Sequence, residues 1–224
     1  MEEFKVQVAN ESHLHLAEAI CKEMEESAKA RGTGIAKRNP DYIRKKMEEG
    51  KAIIATNKKG EFAGFCYIET WSHGKYVSNS GLIVSPNFRN SGLATKIKIK
   101  AFELTRKKYP EAKLFGLTTS AAVMKINSEL GYRPVHFSEL TDDEDFWKGC
   151  SSCVNYEILK SKDHKLCLCT GMLYDPKEKD KKKWDFVKKF KIWDRLQRIK
   201  DVVLLKPLLK KIERLFLIIK LKLA

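Results

Sequence analysis

Leu82-Ile83-Val84-Ser85-Pro86-Asn87-Phe88-Arg89-Asn90-Ser91-Gly92-Leu93-Ala94 is the stretch whose reading decides the fold. An apolar run ends at Pro86. A short polar turn then feeds a segment from Ser91 to about Lys108 in which Leu93, Ile97, Ala101 and Leu104 recur at helical spacing. Small residues at Gly92 and Ala94 let the backbone approach a ligand closely. The N–H groups of Asn90, Ser91, Gly92, Leu93, Ala94 and Thr95 are then the unpaired donors of the helix's first turn, and they point along a dipole that favours anions. A pyrophosphate fits there. Arg-x-x-Gly-x-Ala alone is a weak signal, but between an apolar strand and a long amphipathic helix it is a strong one.

The surroundings support this reading. Phe4, Val6 and Val8 alternate as in a half-buried strand, and Asn10 or Ser12 can cap a helix from about His13 to Ala30. Arg31-Gly32-Thr33-Gly34 breaks that helix, Pro40 opens a short one, and Gly50 ends it. Ala52–Ala55 and Phe62–Ile68 read as a hairpin about Asn57-Lys58-Lys59-Gly60, and Val77–Val84 as a further strand. After the long helix come a short strand at Leu114–Leu117 and a helix from Ala121 to Leu130, stopped by Gly131. The order β-α-α-β-β-β-α-β-α, followed by further strands, indicates a mixed α/β domain.

The chain has 224 residues and a net charge of +15, with 43% hydrophobic and 33% charged residues. That balance excludes both a disordered polymer and an integral membrane protein. Met1-Glu2-Glu3-Phe4 is acidic and has no apolar run, so a cytoplasmic protein is expected. The charge is unevenly spread. Residues 177–224 hold 17 Lys/Arg against 6 Asp/Glu, a net of +11, which leaves +4 for the first 176. The division expected is therefore a domain over 1–176 and a basic amphipathic helical tail over 177–224.

With these segments in place, the chain resembles the GCN5-related N-acetyltransferase superfamily over about residues 4 to 137. The resemblance rests on Arg89-x-x-Gly92-x-Ala94, the element order, and Leu130-Gly131-Tyr132 after the fourth helix. It implies a mostly antiparallel sheet flanked by helices, splayed between the strands at 77–84 and 113–118 to admit the pantetheine arm of acetyl-CoA or another acyl-CoA. The main chain of Ile83 and Val84 would hold that arm, and one of those N–H groups would polarise the thioester carbonyl.

Acyl transfer to an amine needs a base for the ammonium and a proton for the departing thiolate. The resemblance implies a Tyr acid five residues before Tyr132, where this chain has Asn127, and an Asn where it has Ser120. The acid is then Tyr132 or a water, unless the thiolate leaves unassisted. For the base, Glu69 and His73 both precede the CoA strand, and either can act directly or through water. Arg31 and Arg38 flank the loop that commonly builds the acceptor pocket, and can clamp a dicarboxylate.

A closer resemblance, to a bacterial arginine-biosynthesis-associated, N-acetylglutamate synthase-like subgroup, is carried by several stretches. They are Arg31–Ala36, Gly64–Glu69, Phe137–Asp143, Phe146–Cys150 and Cys167–Thr170. It implies glutamate as acceptor and an acetyl or succinyl donor. The alternative is a non-catalytic CoA-binding or membrane-associated module on the same fold.

Cys150-x-x-Cys153 and Cys167-x-Cys169 form two close pairs, which read either as a structural zinc site or as four reduced thiols. In the tail, Trp184, Val187, Phe190, Trp193, Leu196 and Ile199 recur among Lys and Arg. Such a face suits an anionic membrane surface on the inner side of the membrane, or packing on the body or on a second subunit as a homodimer. No base-reading motif is apparent, so no nucleic-acid partner is expected.

Overall fold

The alternation at Phe4, Val6 and Val8 produces an edge strand, β1 (Phe4–Val8), antiparallel to β2 (Ala52–Asn57). A computed structural model describes residues 3–30, 32 and 37–178. The helix expected from His13 starts earlier and more tightly. Asn10 accepts the Ser12 N–H, the His13 ring accepts the Asn10 N–H, and Glu11–Leu16 winds as a 3-10 turn before α1 (Ala17–Ala30). In α2 (Pro40–Glu48) the Asn39 side chain accepts the Asp41 N–H, and Pro40 opens the first turn.

The hairpin about Asn57–Gly60 joins β2 to β3 (Phe62–Trp71), which pairs with β4 (Tyr76–Val84). After Pro86 come α3 (Leu93–Lys108), β5 (Lys113–Thr118) and α4 (Ala121–Glu129). The remainder adds β6 (Arg133–Val135), α5 (Glu144–Lys148), α6 (Tyr156–Ser161) and β7 (Thr170–Tyr174). The seven strands lie in the order β1-β2-β3-β4-β5-β7-β6, all neighbours antiparallel except β4 and β5.

Apolar spacing decides which helix covers which face. Ile20 and Met24 of α1 and Ile43 and Met47 of α2 pack on Ile54, Phe65, Tyr67 and Ile83. Leu93, Ile97 and Ala101 of α3 pack on Ile53, Ala55, Cys66, Ile68 and Val77 on the opposite face. Each such aliphatic side chain contributes roughly 1.5–3 kcal/mol on full burial. A third cluster, Phe115, Phe137, Leu140, Trp147, Leu159 and Leu173, seats the C-terminal elements against the β5–β7 edge.

One feature of the sheet positions the site. β4 and β5 pair only at Tyr76, Val77 and Ser78 against Lys113, Leu114 and Phe115. Beyond Ser78 the ladder between the two strands ends, although the Asn79 carbonyl still lies beside Gly116, and the strands splay from there.

The tail beyond Glu178 lies outside the described residues, and so do Arg31 and residues 33–36 of the acceptor loop. No helix among the described residues is long and apolar enough to cross a membrane.

Candidate active site

The turn between β4 and α3 is open to solvent. Asn90 and Gly92 both take positive φ, 61° and 76°, and a Cβ placed on Gly92 would meet nothing within 4 Å. Ser91 Oγ donates to the Phe88 carbonyl at 2.6 Å, which fixes the loop. The first intrahelical bond runs from Lys96 N–H to the Gly92 carbonyl, so Leu93, Ala94 and Thr95 present main-chain donors at the mouth. An anion such as a pyrophosphate fits that arrangement.

Arg89 does something other than reach out toward such an anion. Its Nε donates to the Val84 carbonyl (3.2 Å), its terminal nitrogen donates to Ser27 Oγ (2.7 Å), and Glu23 lies 3.8 Å away. The guanidinium thus ties the turn to α1 and leaves anion binding to the backbone. Ser120 is likewise committed, capping α4 by accepting the Val123 N–H.

The second element is a bulge. Phe65 pairs with Ile83 but Tyr67 pairs with Ser80, so β4 carries one extra residue, at Gly81–Leu82. Gly81 sits at φ 65°, where a Cβ would approach Tyr67 Cε1 to 2.7 Å and Met24 Cε to 2.9 Å. Only glycine fits. A bulge frees main-chain donors from the ladder, which is what a thioester carbonyl needs. Ile83 and Val84 remain paired with Phe65 and Gly64, and the Ile83 side chain is buried beneath α1 and α2. A glycine inside an apolar strand is the cue that marks this bulge in the sequence.

The α1/α2 side of β3 carries a polar group. Tyr42 donates to Glu69 Oε2 at 2.7 Å, Lys46 pairs with the same oxygen, and Thr70 N–H donates to Oε1 at 3.3 Å. Burial and the neighbouring Tyr67 and Glu69 push the Tyr42 phenol above the usual range. Two residues along, Arg38 Nε donates to the Tyr67 hydroxyl at 2.6 Å, and its guanidinium lies 5.9 Å from that ring. Arg38 and Glu69 thus meet on one surface beside the bulge. Tyr42, Lys46 and Tyr67 complete it, and helical spacing alone marks 42 and 46 only as facing the sheet.

His73 stands elsewhere. It is exposed in the β3–β4 turn at φ 55°, and about 17 Å of strand separates Tyr76 from Gly81. Tyr132 and Asn127 are buried on the α3/α4 side, where the Tyr132 phenol lies against the Asn79 amide and Asn127 Oδ1 lacks a hydrogen-bond partner. Burial raises the Tyr132 phenol above its ordinary value.

For the cysteines, the structure supports the reading as reduced thiols and gives zinc no support. Among the described residues, no three His, Cys, Asp or Glu side chains converge on a metal-binding point. Cys150, Cys167 and Cys169 instead pack against the Trp147–Phe137 cluster as small apolar groups. Burial pushes the Cys150 thiol up to about 11 and the Cys169 thiol to about 12, which holds both protonated.

Residues 21–123, which contain the turn, the bulge and the splay, match the model of the acetyltransferase (GNAT) family. That segment resembles a GNAT domain, in a family described as acetyltransferases. N-acetylglutamate synthase from Neisseria gonorrhoeae, solved with coenzyme A and N-acetyl-glutamate, superposes with a TM-score of 0.56 at 14% identity. The match covers 78% of this chain but only 35% of that one, so this chain spans about a third of the synthase. A Mycobacterium tuberculosis protein in complex with CoA and NLQ gives 0.56 at 16% identity over 76% of this chain and 98% of its own. A Salmonella typhimurium protein with its cofactor acetyl-CoA gives 0.52 at 14% identity, over 78% and 94%. At such identities the likeness speaks for the fold alone. No curated protein matches the chain in sequence.

Proposed function

We propose that this chain is a GNAT acyltransferase that transfers an acyl group, acetyl or succinyl, from acyl-CoA to the amine of a small amino acid, with glutamate in arginine biosynthesis as the acceptor. The observation that carries the transferase reading is the β4–β5 splay, flanked by the glycine bulge and by the anion-binding turn of α3. Main-chain N–H groups of Leu93, Ala94 and Thr95 hold the pyrophosphate, and the pantetheine arm lies in the splay. Donors of the Gly81–Val84 segment face the thioester carbonyl, where negative charge develops in the tetrahedral intermediate.

The acceptor approaches from the α1/α2 side. Arg38, held on Tyr67, meets its carboxylate, which supports an amino acid as acceptor. Both oxygens of Glu69 are engaged, by Tyr42, Lys46 and the Thr70 N–H, so the ammonium proton leaves through a water that Glu69 orients. The free amine then forms the C–N bond, the C–S bond breaks as the tetrahedral intermediate collapses, and the nitrogen's second proton passes through water to the departing thiolate. A thiol pKa of about 8.5 makes that departure easy without a dedicated acid. Glutamate is supported by the sequence resemblance and by the N-acetyl-glutamate bound in the Neisseria synthase.

Free-thiol release from acetyl-CoA and succinyl-CoA, measured across a panel of amino acids, tests the proposal. Turnover with glutamate is expected, and Arg38→Ala should raise the glutamate KM by ~10- to 100-fold with a smaller effect on kcat. No turnover with any amine refutes the transferase reading, and an unchanged KM in the variant removes the carboxylate role of Arg38.

A further inference from the structure

A chain of polar contacts runs from α1 to the anion-binding turn. Glu23 and Ser27 stand one helical turn apart, and Ser27 Oγ donates to Glu23 Oε1 at 2.7 Å. The same Oγ accepts from the terminal nitrogen of Arg89 at 2.7 Å, while Arg89 Nε donates to the carbonyl of Val84, the last residue of β4, at 3.2 Å. Glu23 lies 3.8 Å from that guanidinium and offsets its charge. Ser27 is 3% exposed, and its hydroxyl uses its single proton on Glu23 while it accepts from Arg89, so its orientation is fixed from both sides. The bulge makes this reach possible. A Cβ at Gly81 would stand 2.9 Å from Met24 Cε, so the glycine admits α1 close to β4, and Ser27 follows Met24 by three residues on the same face.

The turn needs such an anchor. Asn90 holds positive φ, a conformation that a non-glycine residue leaves readily in a free chain. The bonds from the Phe88 and Arg89 N–H groups to the Ser85 and Pro86 carbonyls, and from Ser91 Oγ to that of Phe88, lie within the turn. They shape it without fixing its place on the body. Phe88 rests edge-on against Phe4 of β1, at 5.4 Å between ring centres, and Arg89 supplies the polar link to α1. A turn held in advance binds an anion without the cost of ordering its main-chain donors.

We infer that Glu23 and Ser27 of α1 are positioning residues for the acyl-CoA site, which hold the anion-binding turn in place through Arg89. The inference rests on the acyltransferase reading in taking that turn as the pyrophosphate site. It carries a sign that a phosphate-ligand role for Arg89 does not. Were Arg89 to meet the phosphate, Lys would serve at position 89, and removing the Glu23 charge would tighten binding. An anchor instead needs two N–H groups aimed at two acceptors, which a Lys ammonium does not reproduce, and removing the Glu23 charge then loosens binding.

Calorimetric titration of the full chain with CoA tests this without requiring turnover. Ser27→Ala and Glu23→Gln should each weaken CoA binding ~3- to 30-fold, the scale of a lost hydrogen bond to a charged group. Arg89→Lys should lose as much as Arg89→Ala, and Ser27→Ala should add nothing in the Arg89→Ala background. In thiol-release assays the acetyl-CoA KM should rise by the same factor, with smaller effects on kcat and on the amino-acid KM, whereas a general loosening of the fold would move all three. Unchanged or tighter CoA binding in Ser27→Ala or Glu23→Gln, full affinity in Arg89→Lys, or additive losses in the double variant overturns the inference. Weakened CoA binding in these variants, with no thiol release to any amine by the wild type, would uphold the anchor and refute the transferase. Absence of CoA binding by the wild type overturns both.

Discussion

Gly81→Ala is the perturbation that tests the bulge most directly. The new Cβ would stand 2.7 Å from Tyr67 Cε1, 3.0 Å from Tyr67 Cδ1 and 2.9 Å from Met24 Cε, where carbon atoms prefer 3.5–4.0 Å. Tyr67 cannot simply swing away, because Arg38 holds its hydroxyl and the ring is 2% exposed. Such overpacking costs about 1–3 kcal/mol. A side chain at φ 65° adds about 1–2 kcal/mol. The sum, about 2–5 kcal/mol, corresponds to a melting temperature lower by roughly 5–15 °C for a chain of this size.

Gly60→Ala is the matched control. Gly60 also has positive φ, 80°, but a Cβ there meets nothing within 4 Å, so only the backbone contribution applies. Urea unfolding of the three proteins should rank Gly81→Ala well below Gly60→Ala, with thiol release lost only in the former. If the two variants lose equal stability, the close packing of Gly81 under Tyr67 plays no part and the bulge argument fails.

Lys46→Met leaves the Glu69 carboxylate, 13% exposed, without its cation and should cost about 3–5 kcal/mol. The double variant with Glu69→Leu should recover most of that loss, which a double-mutant cycle in urea would read; additive losses would mean the pair is not coupled. The Cys66 thiol, pushed up to about 11 by burial, holds its proton more tightly in the folded chain than at its ordinary value of 9.0. Its stabilising contribution is therefore complete below pH 9 and is lost as pH rises through 11, amounting to about 3 kcal/mol. Denaturation midpoints from pH 8 to 11 should fall more steeply for the wild type than for Cys66→Ala, and parallel curves would contradict the burial argument.

Much of the fold was legible because local signals agreed with one another. Pro86 ending an apolar strand, Gly92 opening a helix, and Leu93, Ile97 and Ala101 at helical spacing located the phosphate turn, since each acts within a few residues. The hairpin at Asn57–Gly60, the cap at Asn10 and the helix start at Pro40 were of the same kind. The candidate site was legible less evenly. Arg89 reads as a phosphate ligand by motif, yet its neighbours Ser27 and Glu23 come from another helix and draw it inward. Cys150, Cys153, Cys167 and Cys169 read by spacing either as metal ligands or as reduced thiols, and three of them, Cys150, Cys167 and Cys169, pack against the Trp147 cluster.

By itself, then, the sequence determined the order of elements, the anion-binding helix start and the apolar faces, all of which follow from periodicity and chain stereochemistry. Only the tertiary structure decided where β4 leaves β5, that Arg89 turns inward to Ser27, and that Arg38 and Glu69 lie on one side of the sheet with Tyr67 and Tyr42. The partners in each case come from different helices and strands, far apart along the chain. No pattern of neighbours along the chain can express a contact that exists only after the helices have packed on the sheet.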